Sequence, residues 1–273
     1  MTTIDTQCGS VVALWRYPVK SMMGENLNAV SFGSGGVVGD RAYAVIDPET
    51  GKVASAKNPR KWPNLFDCHA TYLADPSLEE IPPVRVMLPD GRIVLSDEGG
   101  FDSTLSATLG RPGALRSTVP ERPVLEEYWP DMEELDHQEE VTDETMPAGT
   151  FFDIGPVHLL TTGTLDSLRA AYPTGRWETR RFRPNVVIET PPGEGAFPEG
   201  DWVGCTLAVG EEVRLKVTMP CGRCVMTTLR QGDLPRDPGI LRAAAQNNQA
   251  SVGIYAEVLQ GGMVRRGDAV ALL

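Results

Sequence analysis

Apolar and polar positions alternate along much of this chain at a spacing of two, and stretches patterned for helices are few. Val213-Arg-Leu-Lys-Val217 sets aliphatic side chains on one face and cations on the other, as a half-buried strand does. Ser251 to Val258 alternates in the same way. Val11 to Trp15, Val157 to Leu160 and Val186 to Glu189 are short apolar runs closed by turn residues, and read as further strands. Ala42 to Ile46 and Lys52 to Ala56 predict a hairpin across Asp47-Pro-Glu-Thr-Gly51. Cys68 to Leu73, Val84 to Leu88, Arg92 to Leu95, Trp202 to Val209, Glu212 to Val217, Val225 to Leu229 and Ala269 to Leu273 complete the predicted strands. Helices are predicted over Asp102 to Leu109, from Thr161-Thr-Gly-Thr onward with Thr162 or Thr164 as cap, and over Gly239 to Asn248.

This pattern predicts a mainly β fold with a few helices (α+β). A small amino-terminal β-barrel-like lobe occupies residues 1–122, and a larger β-barrel occupies 151–273. Residues 123–150 are expected to connect them. No lysine or arginine falls between Pro123 and Leu168, whereas Glu126 to Glu144 carries ten acidic side chains, so the connection is read as an extended, solvated acidic loop.

Charge narrows the partners. With 25 basic and 37 acidic side chains the net charge is −12, which disfavours nucleic acid and anionic membrane surfaces and favours a small-molecule partner. No apolar run is long enough to span a bilayer, and the start of the chain lacks a signal-peptide layout, so the expected location is the cytoplasm. Five cysteines, an odd number, do not suggest a disulfide framework and are read as reduced thiols.

The chemistry is concentrated in Cys221-Gly-Arg-Cys224, held between predicted strands, with Arg223 between the sulfurs to favour a thiolate. A structural zinc site would need further ligands, yet there is no second C-x-x-C and only three histidines. A thioredoxin-like pair would need a good helix start, which Val225-Met-Thr-Thr228 is not. The third reading makes one thiolate the ligand of a redox metal carried by an anionic organic cofactor. Lys20 with Ser21, Arg41 and Arg183 are side chains suited to a phosphate group. The glycines from Gly33 to Gly39 are not a dinucleotide fingerprint, because a strand follows where that fingerprint requires a helix.

Six ordered motifs carry a family resemblance: Tyr17-Pro-Val-Lys-Ser21, Gly39-Asp-Arg41, Phe152-Asp153 leading to Leu159-Leu-Thr161, Phe182-Arg-Pro-Asn185, Pro220-Cys-Gly-Arg-Cys224 and Arg266-Gly-Asp268. On them the chain resembles the MOSC superfamily, of the type with its own amino-terminal MOSC β-barrel, to which the mitochondrial amidoxime-reducing component and similar bacterial reductases belong. The resemblance implies a molybdenum cofactor (molybdopterin) bound through the Cys224 thiolate. It implies cofactor contacts from Lys20, Ser21, Arg41, Thr161, Arg183, Asn185, Gly222 and Arg223. Asp153 joins Cys224 as a catalytic candidate, and Cys221 is left without a role.

The implied activity is reduction of small N-hydroxylated compounds. Electrons would come from a separate ferredoxin-, flavin- or haem-type protein, since no cysteine-rich cluster segment follows the barrel. The alternative is a cofactor carrier or persulfide sulfur-transfer module without reductase activity. Two departures from the pattern stand out: Gly222 where relatives often have proline or serine, and Ser55-Ala-Lys-Asn58 where many have an arginine-glutamine segment.

Overall fold

The computed structural model describes residues 6–134, 137–193 and 195–273. Alternation dominates, and its largest product is a closed seven-stranded barrel. Around it run Val186–Glu189, Val157–Thr161, Ser251–Gln260, Val213–Gly222, Thr206–Val209, Ala269–Leu272 and Thr6–Arg16, and the last pairs back onto Val186–Glu189. A short eighth strand, Glu25–Leu27, hangs on Thr6–Arg16. Neighbours are antiparallel except Val157–Thr161 with Val186–Glu189. A parallel pair needs a long crossover, and the helix Thr162–Ala171 lies within it.

Inside the barrel Val11, Leu14, Leu159, Ile188, Leu207, Val213, Leu215, Val217, Ile254 and Val270 form a continuous core. The expected alternation is visible in Val213–Gly222, where Val213, Leu215 and Val217 are buried and Arg214 and Lys216 are not. Register shifts interrupt its pairing with Ser251–Gln260 between Val217 and Met219 and again between Pro220 and Gly222. Bulges bend a strand and re-aim its side chains. Here they deliver the cysteine pair to the barrel's end.

A second core is built from Val19, Met22, Trp62, Leu65, Val84, Val86, Phe101, Leu105 and Leu109. Around it stand the three-stranded sheet His69–Tyr72, Val84–Met87, Ile93–Leu95, the pair Ala44–Ile46 with Ala114–Arg116, and the helix Phe101–Leu109. The chain crosses from the barrel into this lobe after Arg16, so Lys20 and Ser21 stand where the two bodies meet.

Several sequence expectations change. Thr6–Arg16, expected within the amino-terminal lobe, is a strand of the larger barrel. Lys52 to Ala56 meets its expected hairpin partner only through the Ile46–Val53 bridge. The acidic segment is not simply extended: Val124–Tyr128 pairs with Val141–Thr145 as a hairpin. Cations from the preceding loop offset its self-repulsion, with Lys57 at 2.9 Å from Glu127, Lys61 at 3.0 Å from Glu126 and Arg60 at 3.0 Å from Glu139. Val225–Thr228 is a 3-10 turn, not a strand, because Thr227 and Leu229 amides bond back to the Cys224 and Met226 carbonyls. The crossover helix is capped by Thr161, one residue before Thr162 and three before Thr164, its hydroxyl accepting from the Thr164 amide at 3.2 Å.

Candidate functional site

Where the lobes meet, a cleft is lined by Lys20, Ser21, Arg41 and Lys57 from one body and by Asp153, Arg183, Asn185 and Gly222 to Cys224 from the other. Nine of the ten residues singled out in the sequence therefore converge. Five of the lining side chains are cationic and one is a carboxylate. In a chain of net charge −12 this is a local inversion of sign.

Burial holds the cations in place. Tyr17, fully inside, carries two guanidinium groups against its ring, Arg41 at 5.0 Å and Arg183 at 4.1 Å from the ring centre. Arg41 is paired with the buried Asp40 carboxylate. Arg183 forms no ion pair among the described residues. Its Nη1 donates to the Met22 carbonyl at 2.7 Å, while its Nη2 is buried with no hydrogen-bond partner in the protein. Burial, reinforced by Arg41, lowers the Arg183 pKa to about 10.

The backbone around this stack is strained. Ser21, Arg41 and Arg183 have φ of 63°, 50° and 54°, the left-handed region that side-chain-bearing residues enter at a cost on the order of 1–3 kcal/mol each. These three are half of the six non-glycine residues with positive φ among those described. Such strain persists where surrounding contacts impose it: the Arg41 amide is tied to the Tyr17 carbonyl at 2.7 Å, and Ser21 Oγ accepts from the Ala56 amide at 3.1 Å.

Asp153 bridges the two lysines. It accepts a short hydrogen bond from Lys20 Nζ and lies 3.7 Å from Lys57 Nζ. Burial alone would raise the Asp153 pKa, but Lys20, Lys57 and Arg41 hold its carboxyl well below the usual range. Burial lowers Lys20 to about 8 in spite of this partner, with Lys57 and Arg41 adding to the fall. Lys20 Nζ also donates to the Phe151 carbonyl at 2.8 Å.

The cysteine pair divides into unlike members. Cys221 is fully buried, and Arg223 Nη1 donates to its sulfur at 2.8 Å while Nη2 holds the Phe182 carbonyl at 2.8 Å. Burial opposes ionisation of Cys221, yet Arg223 and His158 overcome it and bring the thiol to about 6. Cys224 is half-buried and lines the cleft. Burial, with Glu127 nearby, pushes its thiol up to about 12. Arg223, expected from the sequence to favour a thiolate, gives its hydrogen bond to Cys221, and its charge only partly offsets the rise at Cys224. Ionising Cys224 calls for a stronger electrophile, such as a metal ion that displaces the proton.

Thr161 is the residue that stays apart. Fully buried, it caps its helix and donates to Glu199 Oε2 at 2.5 Å, which leaves it outside the cleft lining. Asn185 reaches the wall, but its side chain also links strands, accepting from the His158 amide at 3.0 Å. Sequence reasoning missed Lys57, His158, Phe182, Met226 and Tyr255, all in the lining. Tyr255 and His158 pack ring to ring at 5.8 Å, and Gly253 makes room for the imidazole, since a side chain there would start 2.3 Å from His158 Nε2. Another cavity, near 880 Å³ and lined by residues such as Gln7, Thr162 and Glu189, gathers no comparable set of cations or thiols among the described residues.

A closed β-barrel and a smaller β lobe, meeting at a cationic cleft with one thiol on its wall, define the class of protein. The chain belongs to the MOSC family: the MOSC domain matches residues 148–271, and the MOSC N-terminal beta barrel domain matches residues 8–99. It is 28% identical over 292 residues to mitochondrial amidoxime-reducing component 1 of Xenopus laevis, covering 97% of this chain and 82% of that protein. With the mouse protein of the same name the identity is 26% over 235 residues, covering 82% of this chain and 66% of the relative. Among solved structures, the YUAD protein from Bacillus subtilis aligns over 98% of both chains at 12% identity and a TM-score of 0.48. YiiM from Geobacillus stearothermophilus aligns over 49% of this chain and 67% of its own at 17% identity and a TM-score of 0.33.

Proposed function

We propose that this protein is a molybdenum-cofactor-dependent reductase of N-hydroxylated compounds, acting in the cytoplasm with electrons from a separate carrier protein. The observation that carries the reading is Arg183: a buried guanidinium without a carboxylate partner among the described residues, one nitrogen unsatisfied, in the same cleft as the Cys224 thiol. A buried cation left uncompensated is expensive unless an anion arrives to meet it. The residues fit a phosphorylated metallo-pterin. Lys20, Arg41 and Arg183 supply the charge for a phosphate, and Cys224 supplies one soft sulfur for a redox metal. The names of the relatives support the substrate class.

When bound, that group supplies two-electron redox chemistry for removing oxygen from nitrogen. Overall, an N-hydroxylated compound takes two electrons and two protons and leaves as the N–H compound and water. The chain's own groups bind and orient. Asp153 keeps the Lys20 and Lys57 ammonium groups together, the Tyr17 ring packs against both Arg41 and Arg183, and Arg223 is held by the Cys221 sulfur and the Phe182 carbonyl.

The test is production in a host that makes the cofactor, followed by molybdenum and pterin analysis and by conversion of benzamidoxime to benzamidine with a chemical reductant. The expected result is one metal per chain and turnover that both depend on Cys224. Metal-free protein, or metal content indifferent to Cys224→Ala and Arg183→Met, overturns the reading.

A further inference from the structure

Arg183 borders two hollows. Besides the cleft it lines a space of about 270 Å³ whose other walls include Trp15, Tyr17, Met23, His69 and Gln231, none of which lines the cleft. Two of those walls hold stranded donors: Trp15 Nε1 and Gln231 Nε2 are buried with no hydrogen-bond partner among the described residues. Gln231 is 1% exposed, and its place is fixed by its backbone. Its amide donates to the Leu234 carbonyl at 3.1 Å, and its carbonyl accepts from the Leu234 amide at 2.9 Å. A buried N–H left unpaired costs on the order of 1–3 kcal/mol, so two around one space call for an acceptor that the protein does not supply.

Charge and shape narrow the acceptor. Arg180 and Arg183 line the hollow, and no aspartate or glutamate does. Arg180 is neutralised by Glu178 at 2.7 Å and Asp233 at 2.5 Å, which leaves the field to Arg183. An acceptor that is also an anion answers both the donors and the charge. The rest of the wall is apolar: the Trp15 and Tyr17 rings lie within 10° of parallel, their centres 6.4 Å apart, and Met23 adds a pliable thioether. The volume falls below the roughly 300–1,000 Å³ of sites for drug-sized molecules, which leaves room for a single ring and not for a nucleotide.

We infer that this hollow is a binding site for a small aromatic carboxylate, its ring against Trp15, Tyr17 and Met23 and its oxygens taken by the Trp15 and Gln231 N–H groups beside the Arg183 charge. The site is distinct from the cleft that holds the Cys224 thiol and touches it through one guanidinium. Neither metal nor turnover is needed for it to fill.

Titration of the isotope-labelled full chain with benzoate, benzamide and benzylamine, followed by NMR and by calorimetry, tests it. The chain has five tryptophans, and Trp15→Phe identifies the indole N–H signal that belongs to Trp15. Benzoate is expected to move that signal downfield to saturation, with benzamide at least about tenfold weaker and benzylamine not binding. Gln231→Leu should weaken benzoate about tenfold and leave the metal content of protein from a cofactor-producing host unchanged. A Trp15 signal that stays in place at millimolar benzoate, equal affinity for the three probes, or an equal shift with inorganic phosphate overturns the inference. So does a loss of metal in Gln231→Leu, which would make the hollow part of the cofactor site. Should that variant fail to fold, the titration of the native chain decides.

Discussion

Arg223 donates to the Cys221 sulfur at 2.8 Å, and this bond makes the first cysteine of the pair an internal counter-ion while the second faces the cleft. The two sulfurs are therefore expected to behave differently in every assay that reports ionisation.

Thiolate absorbance near 240 nm is the first such assay. The native protein should show one thiol titrating near pH 6, and Cys221→Ser should remove that transition while Cys224→Ser leaves it. The linkage has a definite sign. A thiol whose folded pKa is depressed from 9.0 to about 6 contributes stability that is complete above the unfolded value and lost as pH falls through 6. Urea midpoints of the native protein should accordingly rise from pH 6 to pH 9 more steeply than those of Cys221→Ser.

Replacing Cys224 by alanine should separate metal content from stability. Its side chain packs on the small cluster of Ala56, Phe66 and Met226, so the change should cost about 1 kcal/mol in denaturant unfolding. Molybdenum bound by protein from a cofactor-producing host should fall to background. Retained metal would transfer the ligand role to another group.

Asp153→Asn leaves the Lys20 and Lys57 ammonium groups buried without the carboxylate between them. Breaking a buried pair from one side costs about 3–5 kcal/mol, so thermal unfolding should drop by several degrees at neutral pH. The loss should be smaller above pH 8, where Lys20 sheds its proton. A drop of the same size at pH 7 and pH 9.5 would show that the ion pair is not its cause.

Thr161→Val tests a residue that the motif resemblance placed at the cofactor. It removes a helix cap and a hydrogen bond to Glu199, at about 1–2 kcal/mol of stability. Cofactor content per folded chain should be unchanged; a selective loss of cofactor would return Thr161 to the site.

Much of the fold is legible in the sequence itself. Val213 to Val217 and Ser251 to Val258 declared their faces by alternation, and both are barrel strands. The motifs at Lys20, Arg41, Arg183 and Cys224 converge although the strands that carry them are remote in sequence. What stayed hidden was set by remote partners. The acidic segment reads as self-repelling until Lys52, Lys57, Arg60 and Lys61 are brought against it. Arg223 sits between two sulfurs in sequence, and only the Phe182 and Ala250 carbonyls, which hold its side chain and amide, decide which one it meets. Lys57 lay in a segment that departs from the family pattern, so no motif pointed to it.

The strand Thr6–Arg16 pairs with Ala269–Leu272 at one end and with Val186–Glu189 further along, although residues from Pro18 onward lead into the other lobe. A gene fragment cut at residue 151 therefore encodes an open cylinder with two raw edges. Such edges invite pairing with other chains. Anyone wishing to study the carboxy-terminal half by itself should graft this missing stave back, by circular permutation or as a synthetic peptide.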